Sequence, residues 1–160
     1  MSPAADLPTR SDYVHWRTAT TRWRDDDAYG HLNNATYYEL FDTAVNAYLY
    51  EATGVDVRAL PQIGVVAETG CRYFREIGFP APIDMGLVVD KVGTSSIIYR
   101  IGLFQGGSGL HDEEAAAEGR FVHVYVDNTD PGGGRPSTPM PSIIRDAVTQ
   151  LLPGSQPTGR

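Results

Sequence analysis

The chain has 160 residues, 41% hydrophobic and 21% charged, with a formal net charge of −7. That length indicates one domain with a core large enough to fold without disulfides or a structural metal, and the acidic balance argues against a nucleic-acid surface, which needs a basic patch. Cys71 is the only cysteine, so no internal disulfide forms and a reducing cytoplasm is the expected compartment, while no run approaches the ~20 apolar residues of a membrane span.

Residues 1–12 are polar, carry Pro3 and Pro8, and lack the apolar core of a signal peptide. They and residues 153–160 are expected to be flexible tails around a single domain over 13–152. Residues 16–23 alternate loosely and contain Thr18, Thr20 and Thr21, which predicts a first strand. An acidic, glycine- and amide-rich loop follows, from Arg24 to Asn34. The spacing then predicts a helix over 34–53. Tyr37, Phe41, Ala44 and Tyr48 form one apolar row and Tyr38, Val45, Leu49 and Ala52 a second, so burial on several sides is expected. Gly54 provides a natural stop, because glycine accepts the left-handed conformation after a last helical turn.

Beyond Gly54 the residues become β-branched and aromatic. Strands are predicted over 63–74, 83–92, 95–105 and 115–127, punctuated by Gly78, Pro80 and Pro82, by Gly93, and by Gly106, Gly107 and Gly109. The gap at Gly93 is too short for a crossover helix, so 83–92 and 95–105 should pair as a hairpin. Residues 127–134 read as a flexible turn. Pro141 opens a short last helix over 141–152, with Ile144, Val148 and Leu151 on one side. Strand, long apolar helix, then four antiparallel strands describes an α+β architecture in which one curved sheet wraps one helix.

The loop carries the chemistry. A carboxylate delivered to the start of a buried helix suits acyl transfer, because the helix offers unpaired N–H groups to a developing oxyanion. The block Asp25, Asp27, Gly30, His31, Leu32, Asn33, Asn34 and Tyr37 resembles the motif of hotdog-fold acyl-CoA thioesterases of the 4-hydroxybenzoyl-CoA thioesterase type. The likeness extends through Gly93, Ser95 and Ser96 to the strand ending at Asp127. The resemblance implies a hotdog fold, with an antiparallel sheet of about five strands around one long central helix. It also implies a homodimer joined sheet edge to sheet edge, often paired again into a homotetramer, with active sites between subunits.

The same resemblance implies that Asp27 is the catalytic carboxylate, acting as base or nucleophile, and that a backbone N–H at or next to Asn34 polarises the thioester carbonyl. Asp25 and Asp26 are expected to be structural or solvated. His31 joins Asp27 and Asn34 as a candidate catalytic residue, its imidazole expected to order the loop by hydrogen bonding. Glu68 and Thr69 would face the partner's site and position water or the acyl group, the alternative being an exposed strand face. Arg72, Arg75 and Arg120 are candidates for the phosphates of coenzyme A, since guanidinium pairs well with phosphate. Tyr37 would line the acyl pocket, with Tyr38, Phe41 and Tyr48 mainly in the core. His15, His111 and His123 show no ligand partners, and Asp25, Asp27 and His31 match no standard zinc or EF-hand pattern, so no metal is expected. No cofactor is expected either, coenzyme A being part of the substrate. Three other activities share the pattern. They are hydrolysis on acyl carrier protein, acyl-thioester binding without turnover, and enoyl-CoA hydration. For the last, Asp26 and His31 have the five-residue spacing, but the Asn-Pro-Ile-His stretch is missing.

Overall fold

A computed structural model describes residues 6–106, 113–130 and 132–155. Gly107, Gly109 and His111, and the outer parts of both tails, lie outside the described residues. The chain forms β1 (His15–Ala19), α1 (Asn34–Thr53), β2 (Gln62–Tyr73), β3 (Ile83–Val92), β4 (Ser96–Phe104), β5 (Ala117–Asp127) and α2 (Ser142–Thr149). The five strands make one antiparallel sheet in the order β1-β3-β4-β5-β2. This is the hotdog architecture. Strand β1 is shorter than expected. It ends at Ala19, and Trp23 to Asp25 turn into a short 3-10 helix whose Asp25 N–H bonds the Arg22 carbonyl at 2.9 Å. The β3–β4 hairpin closes as predicted, the Gly93 N–H donating to the Ser96 carbonyl at 2.8 Å.

Helix α1 has the predicted limits for identifiable reasons. Asn33 caps it, its side-chain oxygen accepting the Ala35 N–H at 2.9 Å, and Gly54 ends it at φ +71°. Its buried face is Tyr37, Phe41, Ala44, Val45, Tyr48 and Leu49. This face meets the sheet's inner residues, among them Met85, Leu87, Ile101 and Phe121, and the α2 residues Ile144 and Val148. Burial on several sides is only half met. Ala52 is exposed, Tyr38 is half-buried, and Asp42, Thr43, Asn46 and Tyr50 face outward. No helix of the described residues is long and apolar enough to cross a membrane.

The sheet's outer face has its own cluster. From Pro8 onward the chain lies along this face, the Pro8 carbonyl accepting the Ala115 N–H at 2.8 Å and Arg10 pairing with Asp84 at 3.0 Å. Tyr13 packs with Val88, Phe104 and Ala115. Its hydroxyl donates to the buried Glu118, which also pairs with Arg72 at 2.7 Å and Arg100 at 3.2 Å. Burial, together with the Glu118 hydrogen bond and charge, pushes the Tyr13 hydroxyl far above its ordinary range.

Gly119 on β5 sets how closely α1 approaches the sheet. A Cβ there would lie 2.6 Å from the ring of Phe41, which is fully buried. With no free space for the ring, Gly119→Ala should cost about 1–3 kcal/mol, the usual range for overpacking. Urea denaturation of the two proteins measures it.

Candidate active site

The loop between β1 and α1 is a tight hairpin held by its own backbone. The Asp27 N–H donates to the His31 carbonyl at 2.8 Å, and the Asn33 N–H to the Asp25 carbonyl at 2.8 Å. The Leu32 N–H reaches the Ile77 carbonyl at 2.7 Å, which ties the loop to the segment after β2. Gly30 turns the hairpin at φ +81°, a conformation that favours glycine.

Each of the three consecutive aspartates has a different partner. Asp25 is buried and pairs with Arg22 at 2.9 Å. Burial alone would raise its carboxyl, but hydrogen bonds from the Arg22 side chain and backbone, with the charges of Arg22 and Arg24, hold it below the usual range. Asp26 accepts the Phe79 N–H at 3.1 Å. Asp27 accepts the N–H groups of Tyr29 at 2.8 Å and His31 at 3.3 Å, both on Oδ1. Its Oδ2 has no protein partner among the described residues. One oxygen is therefore fixed by backbone and the other is left available.

Asn34 is the first helical residue, and its N–H meets no acceptor among the described residues, as is usual at a helix start. Its side-chain oxygen accepts the Tyr73 hydroxyl from the end of β2. Tyr73 stacks edge-on against Tyr37, ring centres 5.0 Å apart. The Tyr37 hydroxyl is pushed up to about 12 by burial, with Cys71, Glu76 and Asp27 opposing its ionisation. Asp27, Asn34 and Tyr37 thus share one end of α1 with Cys71 and Tyr73. The His31 imidazole turns away from Asp27 and pairs with Glu76 at 3.0 Å. It touches Asp27 only through its backbone. His31 and Glu76 line an open depression with Gly78, Phe79 and Gln105.

The other candidates are dispersed. Thr69 pairs in register with Phe121, which places it on the α1 side of the sheet. Glu68 lies on the opposite face and pairs with Arg120 at 2.6 Å. Arg72 is on that outer face too, bound to Glu118. Arg75 donates to the carbonyls of Gln105 at 3.1 Å and Glu114 at 3.4 Å. Two residues not singled out by the sequence, Arg22 and Arg24, line a second open depression with Asn33, Thr36 and Glu39 beside the helix start. Their place immediately before Asp25, the first loop carboxylate, was the available signal. No three His, Cys, Asp or Glu side chains converge among the described residues.

The sequence profile of the thioesterase-like superfamily matches residues 21–148. Among solved structures, the PA5185 protein of Pseudomonas aeruginosa is 43% identical, with a TM-score of 0.82 over 94% of this chain and 99% of that one. PA2801 of the same organism, provisionally assigned as a thioesterase, is 29% identical, with a TM-score of 0.72 over 85% of this chain and 98% of that one. The 1,4-dihydroxy-2-naphthoyl-CoA thioesterase of Synechocystis shares the fold, with 11% identity and a TM-score of 0.73 over 85% and 96% of the two chains. No curated protein matches the chain.

The ionised state of Asp25 holds the loop's first turn. Because its folded carboxyl sits below the unfolded value, its contribution is present above that value and is lost as pH falls through the folded one. Asp25→Asn should therefore destabilise the protein at pH 7 and do so less at pH 3. Urea titrations of both proteins at the two pH values read the difference.

Proposed function

The chain belongs to the thioesterase-like superfamily, and from that premise we propose that it hydrolyses acyl-CoA thioesters to free acid and coenzyme A at the loop between β1 and α1. The observation that carries this reading is the Asp27 carboxylate, one oxygen tied to two backbone N–H groups and the other open, on the loop that runs into an uncapped helical N–H. A carboxylate held in this way is already oriented, so little of its freedom remains to be lost when the reaction begins.

In this reading the thioester carbonyl meets the start of α1. The Asn34 N–H and the positive end of the helix stabilise the oxyanion. Asp27 Oδ2 then takes a proton from water as the water attacks, or attacks the carbonyl carbon itself to give a mixed anhydride that water opens. In either route the C–S bond breaks, and the sulfur leaves as thiolate and is protonated. His31 shapes the loop through its backbone, and Tyr37 walls the acyl group from the buried side. Thr69, on the α1 face of β2 with Cys71 and Tyr73, would contact substrate in this reading. Arg24, exposed beside the helix start, suits a phosphate of coenzyme A better than Arg72 or Arg75, whose guanidiniums already hold Glu118 and backbone carbonyls.

The free edge of β2 supports assembly through that strand. Twelve residues long and outermost in the sheet, it is suited to pairing with a second copy. The lone cysteine suits a reducing, cytoplasmic setting.

Asp27→Asn keeps the two loop hydrogen bonds to Oδ1 and removes the charge. It should fold normally and lose ~10²-fold or more in turnover, the scale of a lost general base. Thiol release from a panel of acyl-CoAs measures it. Full activity in the variant removes Asp27 from the mechanism, and no release by the wild type from any acyl-CoA moves the proposed substrate away from coenzyme A.

A further inference from the structure

Tryptophan is highly buried on average, yet Trp23 is 79% exposed. Its backbone is nonetheless held. Trp23 opens the 3-10 turn that the Arg22–Asp25 pair closes, and its carbonyl accepts the Asp26 N–H at 3.4 Å. Phe79, 39% exposed, stands edge-on to the indole, ring centres 5.9 Å apart. Its segment is pinned as well. Asp26 accepts the Phe79 N–H at 3.1 Å, and the Gln105 side chain donates to the carbonyls of Gly78 at 2.7 Å and Ala81 at 2.8 Å. Two rings in contact, held out to solvent on a fixed frame, form a contact surface that loses little freedom when a ligand binds.

The surroundings of the two rings select the ligand. Phe79 also walls the open depression that begins at Gly30 and His31 of the Asp27 hairpin. Trp23 is four residues before Asp27, so their backbones are no more than ~14 Å apart. Two carboxylates stand beside Phe79, that of Asp26 on its N–H and that of Glu76 in the same depression. They disfavour an anionic ring such as an aromatic acid. Arg24, the residue after Trp23, is exposed and makes no ion pair among the described residues, whereas Arg22 is bound to Asp25. A neutral, flat ring joined to a phosphate meets both conditions, because the ring stacks on the indole and the phosphate pairs with the guanidinium. A purine nucleotide has that composition. Coenzyme A carries one, and the phosphopantetheine arm of an acyl carrier protein does not.

We propose, resting on the reading of the Asp27 loop as a site of acyl-CoA hydrolysis, that Trp23 is a specificity-determining residue that stacks the adenine of coenzyme A while Arg24 takes a phosphate of the same nucleotide. Phe79 braces the indole from the side. The nucleotide, and with it the choice of coenzyme A over a carrier protein, is read at this pair of rings.

Two measurements on the full-length protein test this. The chain has two tryptophans, so Trp16→Phe leaves Trp23 as the only indole emitter. Coenzyme A and ADP, the core of its nucleotide, should quench that emission saturably. Arg24→Ala in the same background should weaken both, and phosphopantetheine should leave the emission unchanged. In thiol release, the ratio of kcat/KM for an acyl-CoA to that for the same acyl group on pantetheine should fall ~5-fold or more in Trp23→Ala, the lower end for a lost base–aromatic stack. The ratio is taken within one protein, so a general loss of folded enzyme cancels. No saturable quenching by coenzyme A, equal quenching by phosphopantetheine, or an unchanged ratio overturns the proposal. Quenching by coenzyme A in a protein that releases thiol from no acyl-CoA removes the hydrolysis reading and supports the nucleotide contact. Hydrolysis of acyl-CoA without quenching removes the nucleotide contact alone.

Discussion

The seat of Phe41 on Gly119 governs the rest of the molecule. An α-helix and a sheet touch at the distance their facing side chains allow, and here one side has no side chain at the point of contact. The ring of Phe41 fills that space and meets Phe121 edge-on at 5.9 Å. With the middle of α1 fixed at that height, its apolar face reaches the residues of β3 and β4, and α2 closes the far side. The start of α1 is thereby fixed as well. A 20-residue helix is stiff, so the position of Asn34 is determined seven residues away, in the core.

That rigidity gives the three aspartates of the loop their separate tasks. Asp25 is held inside by Arg22, and Asp26 bridges to the segment after β2 through Phe79. With both preceding residues anchored, the chain enters Asp27 in a fixed direction, and the Asp27 N–H bond to the His31 carbonyl holds the return. Its own Oδ1 completes the turn by accepting two N–H groups. Three like charges in a row would repel in an open loop. Here the chain directs them to three different places.

Much of this was legible in the residues. The limits of α1 follow from Asn33 and Gly54, and the hairpin from the shortness of the Gly93 gap, because caps and tight turns are local chemistry. The loop was legible as a block for the same reason. The features that escaped depend on which face a strand residue takes. Glu68 and Thr69 are neighbours in sequence and stand on opposite sides of the sheet. Arg72 looked available until its cross-strand partner proved to be the buried Glu118. The end of β1 at Ala19 was hidden because Thr20, Thr21 and Trp23 favour strands intrinsically, while the Arg22–Asp25 contact bends the chain into a turn.

Strand β2 has an irregularity at Ala67, where the register to β5 shifts between Val66 and Glu68. An uninterrupted row of backbone donors and acceptors at a sheet edge is a template for almost any extended chain, including partly unfolded copies of the same protein. The extra residue divides that row into two shorter runs and increases the local twist. A straight, flat strand that matches one run is misaligned with the other. A bulge of this kind is one of the ways in which an edge strand is made a poorer template for fibrillar stacking, and here it takes a single residue out of register with β5.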